Sequence, residues 1–136
     1  MTRVMPVIVA AAVLLLLLDI IGALARQPLG FPYSPVGVVC LLTYLSVGFV
    51  AAWRAGFTLG LVAAVIVGFL DATLGPLAAW LIGPGPLGQS IQEPGVFAYG
   101  VSVVTAIAGL AGVIGALAGS RLERRRGLRS SGVVSH

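Results

Sequence analysis

The chain has 136 residues, of which 59% are hydrophobic and only 9% are charged. A soluble domain carries charge on about a quarter of its residues, so this composition excludes a protein with a fully water-facing surface. The formal net charge is +4, and all eight basic residues are arginine. The sequence predicts an all-α, polytopic membrane protein. One four-helix transmembrane domain would span residues 1–120, and an Arg-rich tail over residues 121–136 is expected to be disordered.

Few residue types that carry soluble-enzyme chemistry are present. The single cysteine, Cys40, excludes an intramolecular disulfide and lies in an apolar run, and the single histidine is the last residue, His136. The sequence contains no Gly-rich phosphate loop, no Ser/His/Asp set and no CxxC pair. We therefore expect no enzyme activity, no catalytic residues, no cofactor and no metal site.

The first predicted span covers residues 4–25, where five consecutive leucines precede Asp19. An alternative is a cleaved signal peptide, because Arg3, an apolar core and Ala23-Leu24-Ala25 imitate its three parts. The apolar region is longer than the usual 7–15 residues or so and contains an aspartate, which favours a retained span. Residues 27–35 carry three prolines and a glycine and predict a turn-rich loop.

The remaining spans are predicted at residues 36–53, 56–82 and 95–119. Only two residues separate the second and third spans, so these two should form a tight antiparallel hairpin, whereas the third and fourth are joined by a Pro/Gly loop. Small residues recur every fourth position in the third and fourth spans, which is typical of helices that approach each other closely in lipid. The predicted packing glycines are Gly56, Gly60, Gly68, Gly112, Gly115 and Gly119.

The arginines predict the orientation of the chain. With four spans, seven arginines fall on the side of the two termini and only Arg26 falls on the other side. The positive-inside rule then places both termini in the cytoplasm, and the composition suggests a bacterial inner (plasma) membrane. Anionic lipids at the cytoplasmic face are the expected contacts of Arg121, Arg124, Arg125, Arg126 and Arg129. The expected partners are the bilayer itself and a second copy or another membrane protein; nucleic acid is not expected.

Asp19 and Asp71 are the only acids inside the spans, where each costs about 2.5–3.5 kcal/mol on insertion scales. Counting about 1.5 Å per residue from the cytoplasmic ends, both lie about 22 Å deep, in the same layer of the bilayer. In low dielectric two neighbouring carboxylates cannot both ionise cheaply. Pro76 frees the carbonyl of Ala72 and leaves an acceptor that Thr73 or a protonated carboxyl could satisfy. The candidate intramembrane polar or ion site is Asp19, Asp71, Thr73, Tyr99 and Ser102.

The sequences around the two acids also resemble each other. Asp19 lies in the pattern L-D-x2-G-x-L-A and Asp71 in L-D-x3-G-x-L-A, and each is followed by a Pro/Gly loop and a returning span. This similarity raises the possibility of two parallel hairpins related by an axis along the membrane normal.

The small size, the four spans and the acid in the first span are similar to the small multidrug exporters, which work as antiparallel dimers. Three features depart from that family: the acid is an aspartate, where the exporters use glutamate; the exporters have shorter chains; and the seven-to-one arginine bias opposes dual topology. We do not assign the chain to it.

Two functions from different classes remain. The first is a non-catalytic structural or accessory helix bundle that packs with itself or with other membrane proteins. The alternative is a small oligomeric proton- or cation-coupled transporter or channel that uses Asp19 and Asp71. The sequence favours the first function, because the polar side chains in the spans are few.

Overall fold

A computed structural model of the protein describes residues 4–29, 34–82 and 93–131, with side chains for residues 4–22, 24, 36–78, 80–81 and 93–122. The described part is all-helical: α1 (Met5–Leu29), α2 (Ser34–Ala55), α3 (Phe57–Ile82) and α4 (Pro94–Ser131). Each helix is long and apolar enough to cross a membrane. The predicted all-helical chain with four candidate spans is therefore confirmed, and the architecture is compatible with a multi-pass membrane helical bundle.

The helices begin and end close to the predicted boundaries, with two differences. The connection between α1 and α2 is reduced to residues 30–33, because both helices extend into the proline-containing segment. Proline is compatible with the first turn of a helix, where its missing N–H would have no partner, and Pro35 and Pro94 both occupy such positions.

The fourth helix is longer than its predicted span and continues to Ser131. Residues 121–131, which we expected to be disordered, are thus helical. Leucine, glutamate and arginine have high helix propensity, so the helix continues through this polar sequence after the apolar span has ended. Residues 132–136 of the predicted tail lie outside the described part.

A single residue separates α2 from α3. Gly56 has a φ of 89°, a left-handed conformation that favours glycine. Its N–H donates to the carbonyl of Ala52 at 2.8 Å, and its own carbonyl accepts from the N–H of Gly60 at 3.1 Å. Apart from its two neighbours in the chain, no atom of the described residues lies within 4 Å of where a Cβ on Gly56 would stand, so this glycine serves the turn and not the helix packing for which it was proposed.

The α2–α3 hairpin lies at the centre of the bundle. Helix α4 packs against both of its helices, α1 packs mainly against α3, and no described residues of α1 and α4 are in contact. A two-fold axis would exchange the α2–α3 pair with the α1–α4 pair, so the helices are not arranged as the two-fold repeat that the sequence suggested. The core side chains include Leu15, Tyr44, Val67 and Ala108.

Several backbones approach each other closely in the half of the bundle nearer Gly56. We call the end of the bundle at Gly56 the turn end and the opposite end the far end. A Cβ on Gly48 would lie 2.7 Å from the carbonyl oxygen of Gly112, and one on Gly60 would lie 2.6 Å from that of Gly48. A Cβ on Gly115 would lie 2.9 Å from the nitrogen of Phe49. Gly119 likewise faces backbone atoms of Phe49 and Trp53, whereas Gly68 and Gly112 face the Cβ atoms of Ala108 and Ala64.

Candidate functional site

A hydrogen bond between two spans connects α2 with α3. The hydroxyl of Tyr44 donates to Oδ2 of Asp71, and the Tyr44 side chain is only 3% exposed. These two residues lie at similar distances before and after Gly56, so the antiparallel hairpin places them side by side. The second carboxylate oxygen of Asp71, Oδ1, is buried and has no hydrogen-bond partner among the described residues. A buried polar atom without a partner costs about 1–3 kcal/mol, and more if it is charged.

Asp19 reaches the same region from α1. Its carboxyl group lies against Gly75 of α3, where a Cβ would stand 3.1 Å from Cγ of Asp19. Gly75 follows Asp71 by four residues and so lies on the same face of α3. The absence of a side chain at Gly75 provides the space for the carboxyl of Asp19, and this brings the two acids of the spans together at one surface of α3.

Both acids line a cavity of about 450 Å³. All four helices contribute to it, through the end of α1, the start of α2, the end of α3 and the start of α4. It therefore lies in the far half of the bundle, beyond the close glycine contacts. Its wall is mostly apolar, and its polar or aromatic side chains are Asp19, Cys40, Tyr44, Asp71, Phe97 and Tyr99.

The predicted site residues divide into two groups. Asp19, Asp71 and Tyr99 line the cavity, although Tyr99 is 72% exposed. Thr73 and Ser102 are not among the lining residues. The hydroxyl of Thr73 donates to the carbonyl oxygens of Phe69 at 2.8 Å and Leu70 at 3.1 Å, and that of Ser102 donates to Ala98 at 2.8 Å. Thr73, one of the two donors considered for the carbonyl of Ala72, thus donates to other residues.

Three residues of this region were not identified from the sequence as site residues. Tyr44 lies eight residues from Val36, about 12 Å from the far end of the span, and Asp71 lies eleven residues from Ile82, about 16 Å from that end. Counting depth along α2 as well as α3 would have placed Tyr44 near Asp71. Cys40, interpreted as a packing residue, would have been found in the same way. No pattern in the sequence indicated the role of Gly75.

A second buried oxygen without a described partner lies nearby, on α4. It is Oγ1 of Thr105. The Cα of Thr105 is 3.8 Å from where a Cβ on Gly68 would stand, about one helical turn before Asp71 along α3. The two unpaired oxygens therefore belong to the same part of the α3–α4 interface.

The site has few metal ligands. Among the described residues, no group of three or more His, Cys, Asp and Glu side chains could hold a metal ion. Two carboxyls and a phenol are also fewer oxygen ligands than the six or more that Ca²⁺ requires. A cluster of this kind can share protons or pair with one positive charge, because a low dielectric strengthens both interactions.

The arginines of the predicted lipid contact are only partly described. Arg121 is exposed. Arg124, Arg125, Arg126 and Arg129 lie on the helical backbone of α4, but their side chains are outside the described part. When the chain is compared with known proteins, no family model matches it, and no curated protein or solved structure is significantly similar to it.

Proposed function

We propose that this protein is a non-catalytic structural or accessory helix bundle of a cell membrane, which packs with itself or with other membrane proteins. The observation that carries the proposal is that five of the hydroxyl groups in the spans are used within their own helices. Thr43, Ser46, Thr73, Ser102 and Ser120 each donate to a backbone carbonyl three or four residues earlier. Such hydroxyls contribute little to a polar path for a substrate.

The contacts of the two acids fit this role. The hydrogen bond from Tyr44 to Asp71 links α2 to α3, and the contact of the Asp19 carboxyl with Gly75 links α1 to α3. Interhelical hydrogen bonds in membranes contribute about 0.6 kcal/mol on average and up to about 1.7 kcal/mol, so they fix register more than they drive association. In this proposal the acids hold three helices at defined relative heights.

Small-residue packing is the second support. The Cβ distances at Gly48, Gly60 and Gly112 fit a bundle in which α2, α3 and α4 associate through Gly and Ala surfaces. These Gly and Ala surfaces then pack against each other within one chain, so a partner would bind to other faces of the helices. Helix α1 offers one such face, since Val9, Val13 and Ile21 are each more than half exposed.

The proposed setting follows from the arginines. Both termini would lie in the cytoplasm of a bacterial cell, and the turn end would face the same side. Exposed Arg121 and the arginines after it would contact anionic lipids there.

A second candidate, a small oligomeric proton- or cation-coupled transporter or channel, is favoured by a different observation. The cavity of about 450 Å³ brings Asp19 and Asp71 together, and Oδ1 of Asp71 has no described partner. A proton or a cation could supply what that oxygen lacks. Because α1 and α4 do not touch in the described part, a complete path would need a second copy of the chain.

One set of variants tests both candidates: Asp19→Asn, Asp71→Asn and Tyr44→Phe, with Ser102→Ala as the matched control because its hydroxyl is used within α4. Each protein is unfolded in detergent and is also reconstituted in vesicles for proton and sodium flux. We expect no flux from the wild type. Tyr44→Phe should lower the free energy of unfolding by about 1–3 kcal/mol because it leaves both oxygens of Asp71 without partners, whereas Ser102→Ala should change it little.

The opposite pattern would support the second candidate. A wild-type flux that is lost in both Asn variants, while their unfolding is unchanged, would replace the structural proposal by the transporter. Equal stability of Tyr44→Phe and Ser102→Ala, without any flux, would contradict the structural role of the Tyr44–Asp71 bond.

A further inference from the structure

A groove separate from the acid cavity runs between α1 and α2. Its volume is about 510 Å³, and its lining comes from residues 6–14 of α1 and 39–54 of α2. Among neighbouring helices, α1 and α2 are the least closely packed pair. Side chains such as Ala10, Leu14, Leu42 and Val50 form its walls.

The two hydroxyls in the groove do not make it polar. The hydroxyl of Thr43 donates to the carbonyl of Val39 at 2.8 Å, and that of Ser46 donates to the carbonyl of Leu42 at 2.7 Å. Both donors are therefore satisfied by α2 itself, and a molecule in the groove would not need to provide acceptors for them. The walls are suited to a hydrocarbon chain.

The groove is charged at one end only. Arg54, in the last turn of α2, lines it and is exposed. It follows Trp53, and an aromatic residue beside a cation is typical of the boundary between hydrocarbon and headgroups. A guanidinium group at that boundary can bind a phosphate through two parallel hydrogen bonds.

We propose that this groove binds one anionic phospholipid, with an acyl chain between α1 and α2 and the phosphate on Arg54. The length of the groove supports this occupant. At about 1.5 Å per residue, the lining measures about 12 Å along α1 and about 22 Å along α2. One leaflet contributes about half of the ~30 Å hydrocarbon layer, or about 15 Å. An acyl chain anchored at Arg54 thus matches the groove, and this inference does not depend on the proposed function.

Trp53 provides the probe, since it precedes Arg54 in sequence. In a Trp80→Phe background, Trp53 is the only tryptophan. The full chain is reconstituted in phosphatidylcholine vesicles, and a phospholipid brominated near the glycerol end of its acyl chains is added as either phosphatidylglycerol or phosphatidylcholine. Quenching of Trp53 fluorescence against mole fraction then reports the relative affinity of each lipid.

We expect phosphatidylglycerol to be preferred about fivefold, as one arginine near an anionic headgroup would give. Arg54→Gln should abolish this preference. Arg121→Gln is the comparison variant, since Arg121 is also exposed and is a proposed contact of anionic lipids but does not line the groove. It should lower the preference reported by Trp53 much less than Arg54→Gln does. Ala10→Phe, which adds bulk to the groove, should weaken quenching by both lipids.

Three results would overturn the proposal. Equal affinity for the two lipids in the wild type would exclude a specific site for the anionic headgroup. Equal loss of preference in Arg54→Gln and Arg121→Gln would indicate general surface attraction. Quenching that falls as the protein-to-lipid ratio rises would indicate that a second copy of the chain fills the groove and excludes lipid.

Discussion

The contact between Gly48 and Gly112 allows a sharp test of how α2 and α4 are held together. A Cβ on Gly48 would lie 2.7 Å from the carbonyl oxygen of Gly112 and 3.0 Å from its Cα. Ordinary van der Waals contact begins at 3.4 Å, so the two backbones would have to separate by 0.7 Å (3.4 minus 2.7). Both obstacles are backbone atoms, and no side-chain rotation can relieve the overlap.

The cost of this separation can be estimated. Overpacking a close contact costs about 1–3 kcal/mol, and replacing a helical glycine by alanine recovers about 0.5–1 kcal/mol. We therefore expect Gly48→Ala to lower the free energy of unfolding by about 1–2 kcal/mol. The contacts of α2 with Gly115 and Gly119 lie close by along the same interface and would be loosened by the same shift.

Two glycines of α4 serve as controls for this measurement. A Cβ on Gly109 would meet only a methyl of Val65 at 3.6 Å, and one on Gly100 would meet nothing within 4 Å. Their alanine variants should be as stable as the wild type or slightly more stable. Stability is measured by reversible unfolding in mixed detergent micelles, followed by far-ultraviolet circular dichroism. If Gly48→Ala were as stable as Gly100→Ala, the close approach of α2 and α4 would be refuted.

Two further predictions concern the orientation of the chain in the membrane and the contact between Asp19 and Gly75. In a Cys40→Ala background, a cysteine at position 90 should react with an impermeant thiol reagent only from outside the cell, and one at position 131 only from inside; exchanged sides would reverse the topology. Gly75→Ala should destabilise the protein by about 1–3 kcal/mol, and much less once Asp19→Ala has removed the carboxyl. Purely additive effects of these two changes would contradict their contact.

The fold was predictable because hydrophobicity and length decide which segments cross a membrane. The four apolar runs correspond to the four helices, and the α2–α3 connection was found to within two residues. The helix ends were less predictable, since hydropathy marks the hydrocarbon layer and not the hydrogen-bonded helix. Helix α4 is an example, since it continues past the end of its apolar span to Ser131. The two-fold repeat was a wrong inference, because similar short patterns arise easily in a sequence so rich in Ala, Gly and Leu.

The depth of the site residues in the bilayer was predictable from the sequence, but the direction in which each side chain points from its helix was not. The constant rise of a helix places Asp19, Asp71 and Ser102 in one layer, and the first two do line one cavity. Which face of a helix points at that cavity depends on the packing of its neighbours, which the sequence does not state. Ser102 therefore shares the depth of the acids while its hydroxyl remains on its own helix. Tyr44 was missed although its depth is similar.

The two acids differ in the contacts that hold them in place, and this difference is relevant to the function. Asp71 is bonded to Tyr44 within the α2–α3 hairpin, which also packs against α4. Asp19 belongs to α1 and, among the described side chains of that helix, is the only one that lines the cavity. Because α1 has no described contact with α4, its position rests on α3 and, more weakly, on α2. A displacement of α1 would separate the carboxyls without breaking the Tyr44–Asp71 bond. A structural role requires that α1 stays in place, whereas a displacement of α1 is one way in which ion coupling could use the two acids.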